Sequence, residues 1–136
     1  MTLWLLREDD LARKRDRDPS ARQAPETADR TRLVCRQCGT TISTVDAVMP
    51  RGDWPLVFAN PHGLVFELVL LRAAQELVLV GPATSEHTWF SGYAWRVALC
   101  GGCGSHLGWR YEAVESERSP ALFFGLQSKE LVEASN

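Results

Sequence analysis

Cysteine is confined to two short motifs, Cys35-Arg-Gln-Cys38-Gly39 and Cys100-Gly-Gly-Cys103-Gly104, which together contain all 4 cysteines of the chain. Zn²⁺ binds four thiolates in a tetrahedron, and two residues between the cysteines of a motif let one tight turn present both sulfurs on the same side. The glycine that follows can adopt the positive φ of such a turn. The spacing therefore predicts one closed, structural zinc site with the ligands Cys35, Cys38, Cys100 and Cys103.

Two other uses of the cysteines are alternatives at this point. They could form two disulfides, or one C-x-x-C pair could be a redox site of the thioredoxin kind. The repetition of both the spacing and the following glycine favours zinc. Because the motifs are far apart in the chain, the metal would join the two ends of a folded domain.

The composition fits one globular domain and argues against several partners. With 136 residues, of which 45% are hydrophobic, the chain is long enough to bury one core. Its formal net charge of −2 disfavours nucleic-acid binding through phosphate neutralisation. The apolar run at residues 3–6 is too short for a signal peptide, and no run reaches the roughly 18 apolar residues that span a bilayer. We therefore expect a cytoplasmic protein, with neither nucleic acid nor a membrane as partner.

The first 31 residues differ in character from the rest. Acidic and basic residues alternate there, and no large apolar side chain follows Leu11 before Leu33. Such a segment buries too little apolar surface to fold, so we predict a charged, flexible tail at residues 1–31, whose removal changes stability little. The alternative is a short amphipathic helix at residues 2–15. The binding domain is then expected at residues 32–130, and residues 131–136 form a C-terminal tail.

The middle of the chain has the pattern of short strands and turns. Residues 57–59 lead into the turn Asn60-Pro61-His62-Gly63, and two apolar runs follow at residues 64–71 and 77–80. A single buried helix could cover both runs, because periodicity does not decide inside continuous apolar sequence. Their valines and Phe66 favour a pair of strands, which Gly81-Pro82 is expected to end.

Aromatic residues are concentrated in Glu86-His87-Thr88-Trp89-Phe90-Ser91-Gly92-Tyr93-Ala94-Trp95 and in Gly108-Trp109-Arg110-Tyr111. If the first segment is a hairpin with an odd-numbered loop, Trp89 faces Trp95 on one side of the sheet, whereas a two-residue loop places them on opposite sides. Trp109 and Tyr111 share a face if their segment is a strand. That face is either part of the core or the wall of an aromatic cage.

These motifs, taken in order, resemble the thalidomide-binding (CULT) domain of cereblon. The resemblance covers about residues 35–126 and rests on Asn60-Pro61-His62-Gly63, the segment from Glu86 to Trp95, and Ser105-His106-Leu107-Gly108-Trp109, with zinc cysteines at matching places. It implies a mainly β, β-tent fold of two antiparallel sheets pinned by one zinc ion, which Yippee-like proteins and B-type methionine sulfoxide reductases share.

The resemblance also implies a ligand site. Trp89, Trp95 and Trp109 match a cage of three tryptophans for cyclic imides, open on one side to ligand or solvent. Asn60 and Pro61 belong to the flanking loop, His87 supplies polar contacts between Glu86 and Thr88, and Tyr111 closes the cage where the human protein has phenylalanine. Phe66 departs from the family pattern, in which a histidine can occur there, so contacts at that rim are less well defined.

The resemblance covers only one part of cereblon. Eukaryotic cereblon has a large Lon-like domain and a region that binds a ubiquitin-ligase adaptor ahead of this domain, and the charged segment here supplies neither. We therefore expect a stand-alone, bacterial relative without a ubiquitin-ligase adaptor among its partners.

Three classes of function are compatible with these residues. The first is a non-catalytic binder of thalidomide-type glutarimides, succinimide, uracil-like rings or peptide ends whose terminal Asn or Gln has cyclised. The second is an enzyme related to the B-type reductases, which needs a nucleophilic cysteine beyond the zinc ligands; a hydrolase using His87 has no recognisable partner at Ser85 or Ser91. The third is a cage for methylated ammonium groups, which Glu86 would favour. We expect the first, and no enzyme.

Overall fold

The computed structural model describes residues 15–18, 31–50 and 56–135. Within these ranges the chain consists of strands joined by tight turns, with short 3-10 helices at Val45–Ala47 and Ser128–Glu130. The strands are β1 (Arg15–Arg17), β2 (Arg32–Cys35), β3 (Thr41–Thr44), β4 (Leu56–Ala59), β5 (Val65–Leu71), β6 (Leu77–Thr84), β7 (Tyr93–Cys100), β8 (His106–Ala113), β9 (Leu122–Gln127) and β10 (Leu131–Ala134).

The strands form two antiparallel sheets. The large sheet has seven strands in the order β1-β6-β7-β8-β9-β5-β4, and the small sheet has three in the order β10-β2-β3. Every strand pair in both sheets is antiparallel. The predicted mainly β fold of two antiparallel sheets is thereby confirmed.

Strands β7 and β9 of the large sheet are buried on both faces, which explains why their sequences are nearly continuously apolar instead of alternating. In β7, Arg96 alone among the strand's residues is not buried. One face packs against the small sheet through a cluster that includes Ile42, Leu71, Leu79 and Phe124. The opposite face carries a second cluster, rich in aromatic side chains, which includes Trp95, Trp109, Tyr111 and Phe123.

The two sheets meet at the cysteine motifs. β2 of the small sheet ends at Cys35, and β7 of the large sheet ends at Cys100. Both residues are buried in the cluster between the sheets. The motif at each strand end therefore brings two cysteines from one sheet to two cysteines from the other.

The two apolar runs are strands, as predicted, but they do not pair with each other. β5 pairs with β4 and β9, whereas β6 pairs with β1 and β7. Side-chain patterns show which faces are buried but not which strands are neighbours, and this is why the predicted pairing was wrong. Gly81-Pro82 also does not end β6, because the register shifts between Val80 and Thr84, and such a bulge tolerates a proline without an N–H.

Two short strands lie outside residues 32–130, the range predicted for the binding domain. Arg15–Arg17, expected in the tail, forms β1 at the edge of the large sheet, and Leu131–Ala134, expected beyond the domain, pairs with β2. Backbone pairing and charge contacts hold β1, and neither requires the apolar side chains whose absence suggested a tail. The alternative helix at residues 2–15 lies, except for its last residue, outside the described residues, as does the rest of the predicted tail up to residue 30.

Gly108 permits a close contact between β8 and β9, and replacing it tests that contact. A Cβ on Gly108 would lie 2.7 Å from the Cα of Leu126 and still closer to the carbonyl oxygen of Gly125. Backbone atoms of a central strand cannot move aside easily, so we predict that Gly108→Ala destabilises the protein by about 1–3 kcal/mol or more. The control is Gly125→Ala, whose Cβ meets only side-chain atoms at 3.1 Å or more. Equal melting temperatures for the two variants would contradict this account.

Candidate functional site

The two cysteine motifs fold into turns with the same hydrogen bonds. In the first turn, the N–H of Cys35 donates to Thr40 O and the N–H of Gly39 donates to Cys35 O, both at 2.8 Å. In the second, the N–H of Cys100 donates to Ser105 O and the N–H of Gly104 donates to Cys100 O, again at 2.8 Å. Gly39 and Gly104 have φ values of 80° and 81°, so the predicted role of these glycines is confirmed.

The four sulfur atoms have the arrangement of a tetrahedral zinc site. All four Sγ atoms lie within 4.8 Å of one another, and the Sγ atoms of Cys35 and Cys103 are 3.7 Å apart. A tetrahedron with Zn–S bonds of about 2.3 Å has sulfur–sulfur distances of about 3.8 Å. The cysteines are free thiols, which argues against the two disulfides. Together with the family match reported below, this identifies a site for one structural zinc ion.

Two hydroxyl groups support the sulfurs. Thr40 Oγ1 lies 3.0 Å from Cys38 Sγ, and Ser105 Oγ lies 3.1 Å from Cys103 Sγ. The Thr40 hydroxyl is the main cause that lowers the pKa of Cys38 to about 6. Our sequence analysis missed these hydroxyls, although the sequence contains a signal for them, because a hydroxyl residue follows the glycine in both motifs.

The two buried cysteines, Cys35 and Cys100, differ from exposed Cys38 in the direction of their pKa shifts. Burial raises the pKa of the Cys35 thiol to about 12 and also raises that of Cys100, because a thiolate there loses its contact with water. A bound Zn²⁺ supplies the positive charge that stabilises both as thiolates. A zinc ion at this position therefore holds these two residues between the sheets as thiolates instead of neutral thiols.

The aromatic cluster begins with three side chains on adjacent strands. Trp95 of β7 is the cross-strand partner of Tyr111 on β8, and Val97 is the partner of Trp109. Trp109 and Tyr111 share one face of the sheet, as predicted. All three aromatic residues are buried, with exposures of 2% for Trp95 and 0% for Trp109 and Tyr111. Neighbouring side chains therefore cover what we expected to be open cage walls.

The covering side chains come from the loop at residues 85–92 and from the edge of the sheet. The ring of Trp89 is 5.1 Å from that of Trp109 in an edge-to-face contact, and Phe58 of β4 stacks on Trp89 at 5.0 Å. Phe66 of β5 contacts Trp109 edge-to-face at 5.2 Å. These three covering residues are only partly buried, so they form the outer layer of the cluster.

Trp89 lies in this loop and not on a strand, which corrects the predicted hairpin. The strand partner of Trp95 on that side is Thr84. The loop is fixed by two indole hydrogen bonds: Trp89 Nε1 donates to Ala59 O at 3.1 Å, and Trp95 Nε1 donates to Glu86 O at 2.9 Å. The structure therefore does bring Trp89, Trp95 and Trp109 into one cluster, by a different route from the one the sequence suggested.

The other residues predicted for the site lie on the loop at residues 85–92 or on the turn that follows β4. Glu86 and His87 are exposed on the loop, and His87 has a left-handed backbone conformation with φ 56°. Thr88 is partly buried, and its hydroxyl donates to Phe90 O. Pro61 is exposed at the turn that follows β4.

Two buried polar groups in this region have unused hydrogen-bonding capacity. Asn60 is 5% exposed, and its Oδ1 accepts hydrogen bonds from the N–H groups of His62 and Leu64 at 2.9 Å. Within the described part of the chain, Asn60 Nδ2 and the hydroxyl of Tyr111 have no hydrogen-bond partner. Burial raises the pKa of Tyr111, so this hydroxyl is protonated and available as a donor.

Comparison with known proteins agrees with this combination of a zinc centre and an antiparallel fold. Residues 26–135 match the family described as Yippee zinc-binding/DNA-binding and Mis18, centromere assembly. The chain belongs to the Yippee–Mis18 family. Its relatives within reach of sequence comparison include protein cereblon of Danio rerio, 38% identical over 105 residues, and protein cereblon of Xenopus tropicalis, 40% identical over 99 residues.

These matches show a cereblon-like domain of the Yippee–Mis18 family. They cover 75% of the chain for the Danio rerio protein and 71% for the Xenopus tropicalis protein, but only 24% and 22% of those proteins. The chain thus corresponds to about a quarter of the cereblons that it matches. Within the residues that the structure describes, no helix has the length and apolar character needed to cross a membrane.

The zinc ligands and the two hydroxyl groups beside them can be tested by substitution. Cys100→Ser and Cys35→Ser should each yield unfolded or aggregated protein without zinc, because the binding free energy of such a site is folding free energy. Thr40→Val and Ser105→Ala should keep the fold but weaken zinc binding about 10–100-fold, measured by chelator competition. Ser116→Ala, on the surface, is the control. A metal-free protein with native circular dichroism and melting temperature would refute the structural role of zinc.

His106 gives a second prediction. Its ring contacts Trp109 edge-to-face at 5.0 Å, and its Nε2 lies 3.1 Å from Gly108 O, which a neutral ring can contact as an Nε2–H donor. Burial lowers the pKa of His106 from 6.5 to about 4, so the unfolded chain binds a proton at higher pH than the folded protein does. The resulting contribution to stability is complete above pH 6.5 and is lost as the pH falls towards 4.

Imidazole NMR resonances measure this directly in the folded, zinc-loaded protein. We expect the His106 signals to remain those of a neutral ring with a proton on Nε2 at pH 5.5. Titration of His106 with an ordinary midpoint near 6.5 would show that the ring is solvated and does not support Trp109 as described.

Proposed function

We propose that this chain is a non-catalytic binding domain for cyclic imides and similar rings, such as glutarimides, succinimide, uracil-like rings or cyclised terminal Asn and Gln of peptides. The observation that carries the proposal is the convergence of Trp89, Trp95 and Trp109 in one cluster of a cereblon-like domain. Asn60 and Tyr111 add two buried donor groups with unused capacity.

The chemistry of an imide suits this set of groups. Its hydrocarbon edge is apolar, and its opposite edge presents C=O, N–H and C=O in one plane. Burial of two or three ring methylenes contributes about 0.8 kcal/mol each, and each neutral hydrogen bond contributes about 1 kcal/mol. After the loss of translational and rotational freedom is subtracted, this predicts a modest affinity in roughly the micromolar range.

Ligand entry requires the outer layer to move, because Trp109 and Tyr111 are fully covered. Trp89 is the natural moving wall, since it is partly buried and belongs to a loop instead of a strand. Displacement of Trp89 breaks its hydrogen bond to Ala59 O, opens its edge-to-face contact with Trp109 and admits a small ring. The strand tryptophans, Trp95 and Trp109, then form the fixed walls.

The polar edge of the ligand forms hydrogen bonds with the loop at residues 85–92, with the turn that follows β4 and with Tyr111. A backbone carbonyl near His87 accepts the imide N–H, while Asn60 Nδ2 and the Tyr111 hydroxyl are donors for carbonyl oxygens. Pro61, Glu86 and Thr88 border the entrance. This assignment requires no chemical step, and the four cysteines are held in the zinc site, which leaves no thiol for the reductase chemistry of related folds.

A cage for methylated ammonium groups is the second candidate, and exposed Glu86 beside the tryptophans favours it. The two functions differ in their response to nitrogen methylation. An imide site loses a hydrogen bond and meets a steric clash, whereas a cation cage gains contact with the indole faces.

The test is a tryptophan-fluorescence titration with glutarimide, succinimide, uracil, N-methylglutarimide and tetramethylammonium. We predict saturable binding of glutarimide and none of N-methylglutarimide, because the methyl group removes the donor at a cost of about 1–3 kcal/mol and adds bulk. Trp89→Ala should abolish glutarimide binding with a smaller loss of stability than Trp109→Ala, for which a fully buried aromatic predicts about 3–5 kcal/mol.

The control variant is Trp4→Ala, which removes a tryptophan outside the family match. Equal affinity for glutarimide and N-methylglutarimide would rule out recognition of the imide edge. Binding of tetramethylammonium alone would establish the cation cage instead.

A further inference from the structure

Two arginines lie directly behind the aromatic site. Arg96 of β7 and Arg110 of β8 are cross-strand partners, and they alternate along their strands with Trp95, Trp109 and Tyr111. Because successive side chains of a strand point to opposite faces, both arginines are on the face opposite the aromatic cluster. Like charges directly opposite each other on a sheet are destabilising unless they are compensated.

The compensating charges come from the N-terminal strand, from Asp18 directly after it, and from Glu112 of β8, whose Oε1 lies 3.5 Å from Arg110 Nη1. Asp16 Oδ2 lies 3.2 Å from Arg96 Nη2, and Asp18 Oδ1 lies 3.3 Å from Arg110 Nε. The Asp18 side chain is 0% exposed and that of Arg110 is 12% exposed, so this ion pair is screened little by solvent. Removal of Asp18 leaves Arg110 with Glu112, which is 43% exposed and compensates the buried charge less well, so the loss is more costly than that of a surface pair.

Arg96 connects this charge network to the loop that carries Trp89. Its Nε donates to Gly81 O at 2.6 Å, within the bulge where β6 departs from regular pairing with β7. The loop at residues 85–92 starts directly after β6, and Glu86 O there accepts the indole hydrogen bond of Trp95. Asp16 is therefore connected to the loop at residues 85–92 by its ion pair with Arg96, by the hydrogen bond from Arg96 to Gly81 and by the last residues of β6.

We propose that residues 15–18 form a strap that positions the aromatic site from the opposite face of the sheet, with Asp16 and Asp18 as the positioning residues. The strap fixes Arg110, which lies between Trp109 and Tyr111 in the sequence of β8. It also fixes Arg96, which contacts the bulge before the loop at residues 85–92. Its effect on the aromatic side chains stands on the structure alone, whereas its effect on imide affinity rests on the proposed function.

The test compares full-length, zinc-loaded Asp16→Asn and Asp18→Asn with the double variant Asp18→Asn/Arg110→Met. The control is Arg17→Gln, which removes an exposed ion pair to Glu76 from the same strand, with side chains 69% and 55% exposed. One readout is the indole Nε1–H resonances of Trp89, Trp95 and Trp109 without ligand. The other is the Kd for glutarimide, measured below the melting transition of every variant.

We expect Asp18→Asn to shift the Trp109 resonance and Asp16→Asn to shift those of Trp89 and Trp95, with glutarimide affinity lowered by about fivefold or more in each. The double variant should keep the shifted Trp109 signal and the lowered affinity, because it also lacks the contact between the strap and β8, and Arg17→Gln should change neither. Unchanged indole resonances in both single variants would overturn the proposal, even if their melting temperatures fall. If the wild type binds no glutarimide, the proposed function is wrong. The indole resonances of the variants without ligand then test whether the strap positions the aromatic side chains. If Asp18→Asn does not fold, the indole resonances of Asp16→Asn, at a partly exposed site, test the proposal.

Discussion

The coordination of one zinc ion by four thiolates is the constraint on which the rest of the structure depends. The large and the small sheet are joined covalently only through the connections between their strands, and the cysteine motifs join them again at the ends of β2 and β7. Cys35 and Cys100 also belong to the apolar cluster between the sheets, so the metal site and the core are one unit. Burial disfavours the ionised form of these two thiols, and a bound cation stabilises them as thiolates.

The aromatic site depends on this arrangement indirectly. With one face of the large sheet packed on the small sheet, the opposite face of β7 and β8 can carry tryptophan and tyrosine side chains at fixed positions. Rigid strands supply Trp95, Trp109 and Tyr111, and a loop supplies Trp89. In the function that we propose, Trp95 and Trp109 are the fixed walls and Trp89 is the wall that moves, which suits a small planar ligand. The proposed strap at residues 15–18 supports the same site from the opposite face, since its aspartates form ion pairs with β7 and β8, the strands that carry Trp95 and Trp109.

Much of the zinc site and part of the aromatic cluster could be predicted from the sequence, because the signals for them are local. The C-x-x-C-G motifs require a specific turn and a specific metal geometry, and the shared face of Trp109 and Tyr111 follows from strand periodicity. Strand neighbours could not be predicted, because β5 and β6 bury both faces and give no pattern that identifies a partner. The N-terminal strand was missed because backbone pairing and ion pairs to Arg96 and Arg110 leave no apolar signature. The burial of Trp109 under Trp89 and Phe66 depends on side-chain packing across three elements, which no single segment encodes.

The central claim is that the three clustered tryptophans bind a cyclic imide, and the most direct measurement is an NMR titration of the zinc-loaded chain with succinimide, following the indole Nε1–H resonances assigned by substitution. The account predicts that the signals of Trp89, Trp95 and Trp109 shift together and saturate with one dissociation constant. It predicts the largest shift for Trp89, whose indole leaves its contact with Trp109. Indole signals that stay unchanged at millimolar succinimide, in protein that is folded and zinc-loaded, would contradict it.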